Sequence, residues 1–179
     1  FKLSVLSFAP EMEFNSKNLF YLKSNKKNIF KPKSLISSWV DLSEDTEVLK
    51  NNLKIKWRND LKNAQKNDYH LEIGNSETLL KWITEKYKLL IKEKNFKGIN
   101  INLLEHLNKN SSLIILRFSD HKKIPVAGIV LATHGNSATY LIGYNSAEGR
   151  SLKANHVLLW NAIEHLKKKN YKWFDLGGI

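Results

Sequence analysis

Leu152-Lys-Ala-Asn-His-Val-Leu-Leu-Trp-Asn-Ala-Ile-Glu-His-Leu-Lys-Lys-Lys169, followed by Tyr171-Lys-Trp-Phe-Asp-Leu176, is the stretch on which the fold turns. It reads as a helix over 152–169, whose closing Lys167-Lys168-Lys169 run suits the negative end of its dipole. A last strand over 171–176 and then Gly177-Gly178-Ile179 follow. Ahead of the helix lie three β-rich runs, 113–118, 126–133 and 138–144, joined by turns at Ser119-Asp120-His121 and His134-Gly135-Asn136. Connections that short exclude parallel crossovers, so the three runs form an antiparallel meander. A strand that follows a crossover helix returns parallel to the strand before it. The two are therefore expected to splay around the 152–169 helix and leave a cleft where their carboxyl ends diverge.

Upstream, residues 1–33 have weak periodicity and read as strands and loops of an N-terminal segment, with the main domain running over 34–179. Leu35, Ile36, Trp39 and Val40 suggest a strand over 35–42. Ser43, with Glu44, Asp45 and Glu47 behind it, marks a helix start that places carboxylates on the positive end of the dipole. Leu49, Leu53, Trp57, Leu61 and Ala64 then recur at three- and four-residue spacing, a single buried stripe running to about Lys66. A short strand over 69–73 precedes Ser76, which caps a second amphipathic helix carrying Leu79, Leu80, Ile83, Tyr87, Leu90 and Ile91 on one face. A third helical piece covers 100–108.

At 179 residues, 42% of them hydrophobic, the chain can build a real core. The absence of cysteine excludes disulfides, thiolate metal sites and cysteine nucleophiles. The six histidines show no ligand spacing, so no metal site is expected, and there is neither a Gly-x-Ser-x-Gly elbow nor a Walker loop. The apolar run 124–133 is interrupted by Gly128 and falls far short of the roughly 20 residues that span a bilayer. The net charge of +12 leaves two readings open, a polyanion-binding surface or a solvated lysine surface. Arginine occurs only at Arg58, Arg117 and Arg150.

Three stretches resemble the Fem-type peptidoglycan aminoacyltransferases and their GNAT relatives. The first is Lys56-Trp-Arg-Asn-Asp-Leu-Lys-Asn-Ala-Gln-Lys66, behind the strand and acidic turn Trp39-Val-Asp-Leu-Ser43. The second is Val126-Ala-Gly128 with Ala138-Thr-Tyr-Leu-Ile-Gly143. The third and most specific runs from Lys153-Ala-Asn-His156 to Trp173-Phe-Asp-Leu-Gly-Gly178. The order of helix, helix, three-stranded meander, helix and strand is also that of the GNAT core. The resemblance implies an α/β (α+β) GNAT-like fold, a mixed and mostly antiparallel sheet flanked by helices, in a cytoplasmic acyltransferase. It implies transfer of an aminoacyl group from aminoacyl-tRNA to an amine of a peptidoglycan precursor, without a cofactor, and with peripheral contact to the inner membrane face possible. Two alternatives stay open: an acyl-CoA-dependent N-acyltransferase acting on an amino sugar, and a non-catalytic binding module. Family members continue past the double glycine into a segment with a Phe-Lys pair, so this sequence is expected to lack the end of the domain.

Site candidates follow from the same stretches. Arg58 and Lys62 share a helix face, and with Lys56 and Asn59 they would grip a phosphate or carboxylate of the acceptor; a solvated face is the plain reading. Glu148-Gly-Arg-Ser-Leu-Lys-Ala-Asn155 lies at a strand-to-helix junction suited to a phosphate, with Arg150, Lys153 and Asn155 as candidates; a plain helix cap is the other reading. Acetyl-CoA enzymes of this fold carry an Arg-x-x-Gly-x-Gly-like loop here, and Lys153 and Asn155 replace both glycines, which disfavours a CoA donor. Tyr140 and Tyr144, four apart on a strand, are expected on one side of the sheet; if that side lines the cleft a phenol would orient the acceptor, and otherwise they are half-buried strand aromatics. Asp175 would take a proton from the attacking ammonium or orient it, or else serve a structural hydrogen bond.

Overall fold

The computed structural model describes residues 16–24 and 37–178. The chain divides into two compact units, Phe1–Leu35 and Ile36–Ile179. In the first, the described part is a helix, α1 (Ser16–Ser24), where strands and loops were expected. Apolar residues at 19, 20 and 22 fit neither period cleanly, so the pattern could not decide. The other readings made for 1–33 lie outside the described residues.

The second unit opens with β1 (Ser37–Asp41). One continuous helix was expected after it; two are found, α2 (Thr46–Asn52) and α3 (Ile55–Ala64). Leu53 (φ −65, ψ 143) and Lys54 (φ −53, ψ 137) are extended and break the ladder after Asn51-Asn52, a pair of weak helix formers. Ser43 does not start the helix. Its N–H and hydroxyl both donate to Asp41 Oδ1, at 2.9 and 2.7 Å, and Asp45 is the N-cap residue.

After β2 (His70–Gly74), Ser76 Oγ accepts the Leu79 N–H at 3.3 Å and starts α4 (Glu77–Lys94). Asn95, in the left-handed region at φ 48, ends it. Asn100 caps α5 (Ile101–Lys109) through the Asn102 N–H at 3.0 Å. The meander follows as expected: β3 (Leu113–Ser119), β4 (Pro125–His134) and β5 (Ser137–Asn145). Its first turn is built on buried Asp120, whose Oδ1 accepts the N–H groups of Lys122 and Ile124. The expected loop beyond β5 contains a short helix, α6 (Ala147–Ser151), so that α7 (Ala154–Lys168) begins later than the sequence indicates. β6 (Trp173–Gly178) closes the unit.

The six strands form one sheet in the order β1-β6-β5-β4-β3-β2. Only β5 and β6 run parallel. Leu61 and Ala64 of α3 and Leu158, Trp160 and Leu166 of α7 bury one face of the sheet against Phe118, Leu131 and Phe174. Leu79, Ile83 and Tyr87 of α4 and Leu104 of α5 bury the other against Ile115, Val130 and Ile142. Fully buried positions such as Leu61, Ile83 and Leu104 each lose about 2–5 kcal/mol when cut to alanine.

The splay is present. The β5–β6 ladder holds for Ser137↔Trp173, Ala138↔Phe174 and Thr139↔Asp175, and beyond that β6 stays paired with β1 while β5 runs on beside β4.

Candidate active site

A cavity of 380 Å³ opens where β5 is left without β6. The end of α4 contributes Leu90, Glu93 and Lys94 to its wall. β5 and the residues after it contribute Tyr140, Gly143, Tyr144, Asn145, Ser146 and Ala147, and the two following helices add Arg150 and Asn155.

Tyr140 and Tyr144 both reach this cavity, but from opposite faces of the sheet, which corrects the expectation that they share one. Register passes from Val130↔Ile142 to Leu131↔Tyr140, so Leu141 is an extra residue in β5 and the alternation reverses across it. Tyr140 packs with the α3 and α7 core, Tyr144 with the α4 core. Both meet the cavity because it passes along the edge of β5 that β6 no longer pairs. A Cβ on Gly143 would sit 1.9 Å from the Tyr140 hydroxyl oxygen, so the phenol lies over that glycine. Burial pushes the Tyr140 phenol above its ordinary pKa and keeps it a neutral donor. Tyr144 is fixed from behind by Trp82, edge to face at 6.1 Å, with Lys86 Nζ 5.6 Å from its ring.

The segment between β5 and α7 is tightly self-bonded. Ser146 Oγ accepts the Gly149 N–H at 3.0 Å, and the N–H groups of Arg150, Leu152 and Lys153 go to Ser146 O, Glu148 O and Arg150 O. Arg150 Nη1 donates to Asn145 O at 2.8 Å, which holds the guanidinium at the cavity wall. A Cβ on Gly149 would lie 2.3 Å from Asn145 Oδ1 and 2.8 Å from Val126 O, so only glycine lets α6 sit this close to β4.

Lys153 precedes α7 in the left-handed region (φ 56, ψ 30), the conformation a glycine would adopt there without strain. Its ammonium turns away from the cavity wall to Asp60 Oδ1 on α3, at 3.3 Å. His156 Nε2 lies 3.8 Å from Asp60 Oδ2, and its ring is 5.0 Å from that of Trp57. Of the loop candidates, Arg150 and Asn155 therefore line the cavity and Lys153 ties α7 to α3. The α3 candidates stand apart from the wall: Lys56, Asn59 and Lys62 are exposed, and Arg58 Nη1 donates to Asn51 O at 3.1 Å.

Asp175 lies where the β5–β6 ladder ends. Its Oδ1 accepts the Ser37 hydroxyl of β1 and the Gly177 N–H at 2.9 Å. Gly177 has φ 86, so the carboxylate stabilises a turn in which glycine is needed. That geometry is the structural alternative named for Asp175, and Asp175 is not among the residues lining the cavity.

Sequence reading missed Leu90, Glu93 and Lys94, because nothing in a helical stripe tells where its last turn will meet a distant strand. Gly143 and Gly149 were the available signals. Among the described residues, no cluster of three His, Cys, Asp or Glu side chains is placed to hold a metal. No described helix is long and apolar enough to cross a membrane.

Residues 81–179 match the family described as the acetyltransferase (GNAT) domain. The chain belongs to this family. GNAT domains are acyltransferase domains, and the fold and enzyme class expected from the sequence stand on that match. No curated protein matches the sequence. Among solved structures, FemX superposes with a TM-score of 0.76 at 16% identity over 92% of this chain and 60% of its own. L-PGS from Bacillus licheniformis gives 0.62 at 12% identity over 90% of this chain and 50% of its own. The C-terminal domain (DUF2156) of a putative lysylphosphatidylglycerol synthetase from Agrobacterium fabrum gives 0.56 at 13% identity, over 79% of this chain and 46% of its own. At such identities the likeness is one of fold, and this GNAT chain spans 60% of the length of FemX.

Proposed function

We propose that this GNAT domain belongs to an enzyme that moves an aminoacyl group from aminoacyl-tRNA to an amine of a peptidoglycan precursor, acting in the cytoplasm at the inner face of the membrane and needing no cofactor. The observation that carries the choice of donor is the segment between β5 and α7. A CoA pyrophosphate would need free loop N–H groups there, yet those of Gly149, Arg150, Leu152 and Lys153 are spent within the segment. The net charge of +12 favours a polyanionic donor.

In this reading the acceptor amine attacks the ester carbonyl in the cleft. A C–N bond forms, the C–O bond to the ribose breaks, and the ribose oxygen leaves with a proton. Positioning supplies most of the acceleration. The departure of β6 after Thr139 leaves the outer edge of β5 free to donate to the developing oxyanion, and the neutral Tyr140 phenol hydrogen-bonds to the reacting groups. Arg150 would take a phosphate beside the cavity.

One observation favours an acyl-CoA donor instead: Asn155, in the first turn of α7, lines the cavity, where a phosphate would meet the helix N-terminus. Equilibrium binding of charged tRNA and of CoA, each at about 50 and about 200 mM salt, separates the two. Charged tRNA is expected to bind and to weaken at least tenfold over that range. Saturable binding of CoA without binding of tRNA overturns the proposal.

A further inference from the structure

A second cavity, of 440 Å³, lies on the α7 side of the sheet at the opposite end of that helix. Ten to fourteen residues of helix, about 15–20 Å, separate its rim from Asn155. Ile73 at the end of β2 and Ile114 at the start of β3, both packed against the α7 core, make an apolar floor, and the Tyr171 ring adds a wall. His165 and Lys169, one helical turn apart, stand over it.

No lining residue carries a carboxylate, and among the described residues Lys169 makes no ion pair. Glu164, next in the chain to His165, is engaged elsewhere, accepting the Trp160 Nε1–H at 2.8 Å. Nor is the Lys169 ammonium or the His165 ring needed to cap its own helix. The final carbonyls of α7 already accept the N–H groups of Lys169, Asn170 and Tyr171, with Asn170 left-handed at φ 62. Burial, with the positive charges of Lys169 and Lys168 beside it, holds the His165 imidazole below its ordinary pKa. An open groove with an apolar floor and, at its rim, a lysine that no carboxylate pairs among the described residues is the complement of one ligand class.

We propose that this groove is a second ligand site, distinct from the splayed-strand cleft, that binds a small organic anion with a flat or branched apolar body. The apolar part lies on Ile73, Ile114 and Tyr171, and the carboxylate faces Lys169 and His165. The inference is independent of the donor and acceptor proposed for the cleft.

The test is a heteronuclear NMR titration of the whole chain with phenylacetate, with phenylacetamide as the uncharged analogue and acetate as the charge without the ring. Phenylacetate is expected to shift the methyl groups of Ile73 and Ile114 and the His165 ring with a dissociation constant on the order of 1 mM. It should also raise the His165 pKa, because a bound anion offsets the lysine charges. Phenylacetamide should leave that pKa unmoved. Lys169→Gln, at an exposed position, should weaken phenylacetate at least fivefold while the protein stays folded. Equal binding of acetate, indifference to Lys169→Gln, or shifts confined to Gly143 and Asn155 would each overturn the site. So would shifts at Ile73 and Ile114 that grow with protein concentration alone, since a second copy would then be the occupant.

Discussion

Gly128→Ala tests the wall of the candidate cleft from behind. Gly128 sits in the middle of β4 with Arg117 opposite it on β3 and Tyr144 opposite it on β5. A Cβ there would lie 2.6 Å from Trp82 Cζ3, 3.0 Å from Trp82 Cη2 and 2.9 Å from Leu116 O. The last of these is backbone of fully buried Leu116, in the interior of the sheet, and has little room to yield. Overpacking of this kind costs about 1–3 kcal/mol. Moving the indole also weakens its edge contact with Tyr144, worth about 0.5–1.5 kcal/mol, and its contact with the Arg117 guanidinium at 5.7 Å, worth about 0.5–1 kcal/mol. Against this, alanine narrows the unfolded ensemble by about 0.4–1 kcal/mol. The net expectation is a loss of about 2–3 kcal/mol.

Urea denaturation of the wild type, Gly128→Ala, Trp82→Leu and the double variant would measure it. In the leucine background the clash with the ring is gone and only that with Leu116 O remains, so the glycine substitution should cost less there. A cost below about 0.5 kcal/mol, within the range of ordinary surface changes, or an equal cost in both backgrounds, would refute the idea that Gly128 exists to seat Trp82 against Tyr144.

Three further outcomes are expected. Lys153→Gly should be more stable than Lys153→Ala by about 0.5–1 kcal/mol, because glycine removes the left-handed strain of about 1–2 kcal/mol and gives back part of it to the unfolded chain; thermal unfolding that ranks alanine higher would contradict φ 56 at this position. Asp175→Asn should cost about 1–2 kcal/mol by weakening acceptance from Ser37 and Gly177, and an unchanged melting temperature would show that the carboxylate does not stabilise the irregular β1–β6 pairing at Ser37. For His165 the folded pKa lies below the model-peptide value of 6.5, so the unfolded chain binds more protons in that window and stability falls as pH drops through it. His165→Gln should therefore lose less melting temperature than the wild type between about pH 7.5 and about pH 5, and parallel curves would argue against the shift.

Much of the architecture could be read from periodicity. Short turns forced the meander antiparallel, a crossover helix forced β6 parallel to β5, and Ser76 marked its helix start to the residue. The break between α2 and α3 escaped because Leu49, Leu53, Trp57 and Leu61 continue in phase across it, and a stripe that stays in phase carries no mark of an interruption. The bulge at Leu141 escaped for a related reason. Within Ala138-Thr-Tyr-Leu-Ile-Gly143 the one unusual residue is Gly143, and its role is visible only once the Tyr140 phenol is seen lying over it. Since a single extra residue reverses a strand, the assignment of Tyr140 and Tyr144 to one face could not survive it.

The junction before α7 shows how a correct chemical reading can still mislocate a side chain. Lys153 was set against a glycine of the acetyl-CoA loop, and the backbone there does adopt a glycine's conformation. A lysine can hold it because Asp60 on α3 receives its ammonium and α6 consumes the neighbouring N–H groups. The ion pair is half exposed and worth about 0–1 kcal/mol by itself, so the packing of α6 through Gly149 must contribute the rest. Bulk at this position thus does more than crowd a pyrophosphate: its ammonium is tied to α3, and Ser146, Arg150 and Asn155 are left facing the cleft.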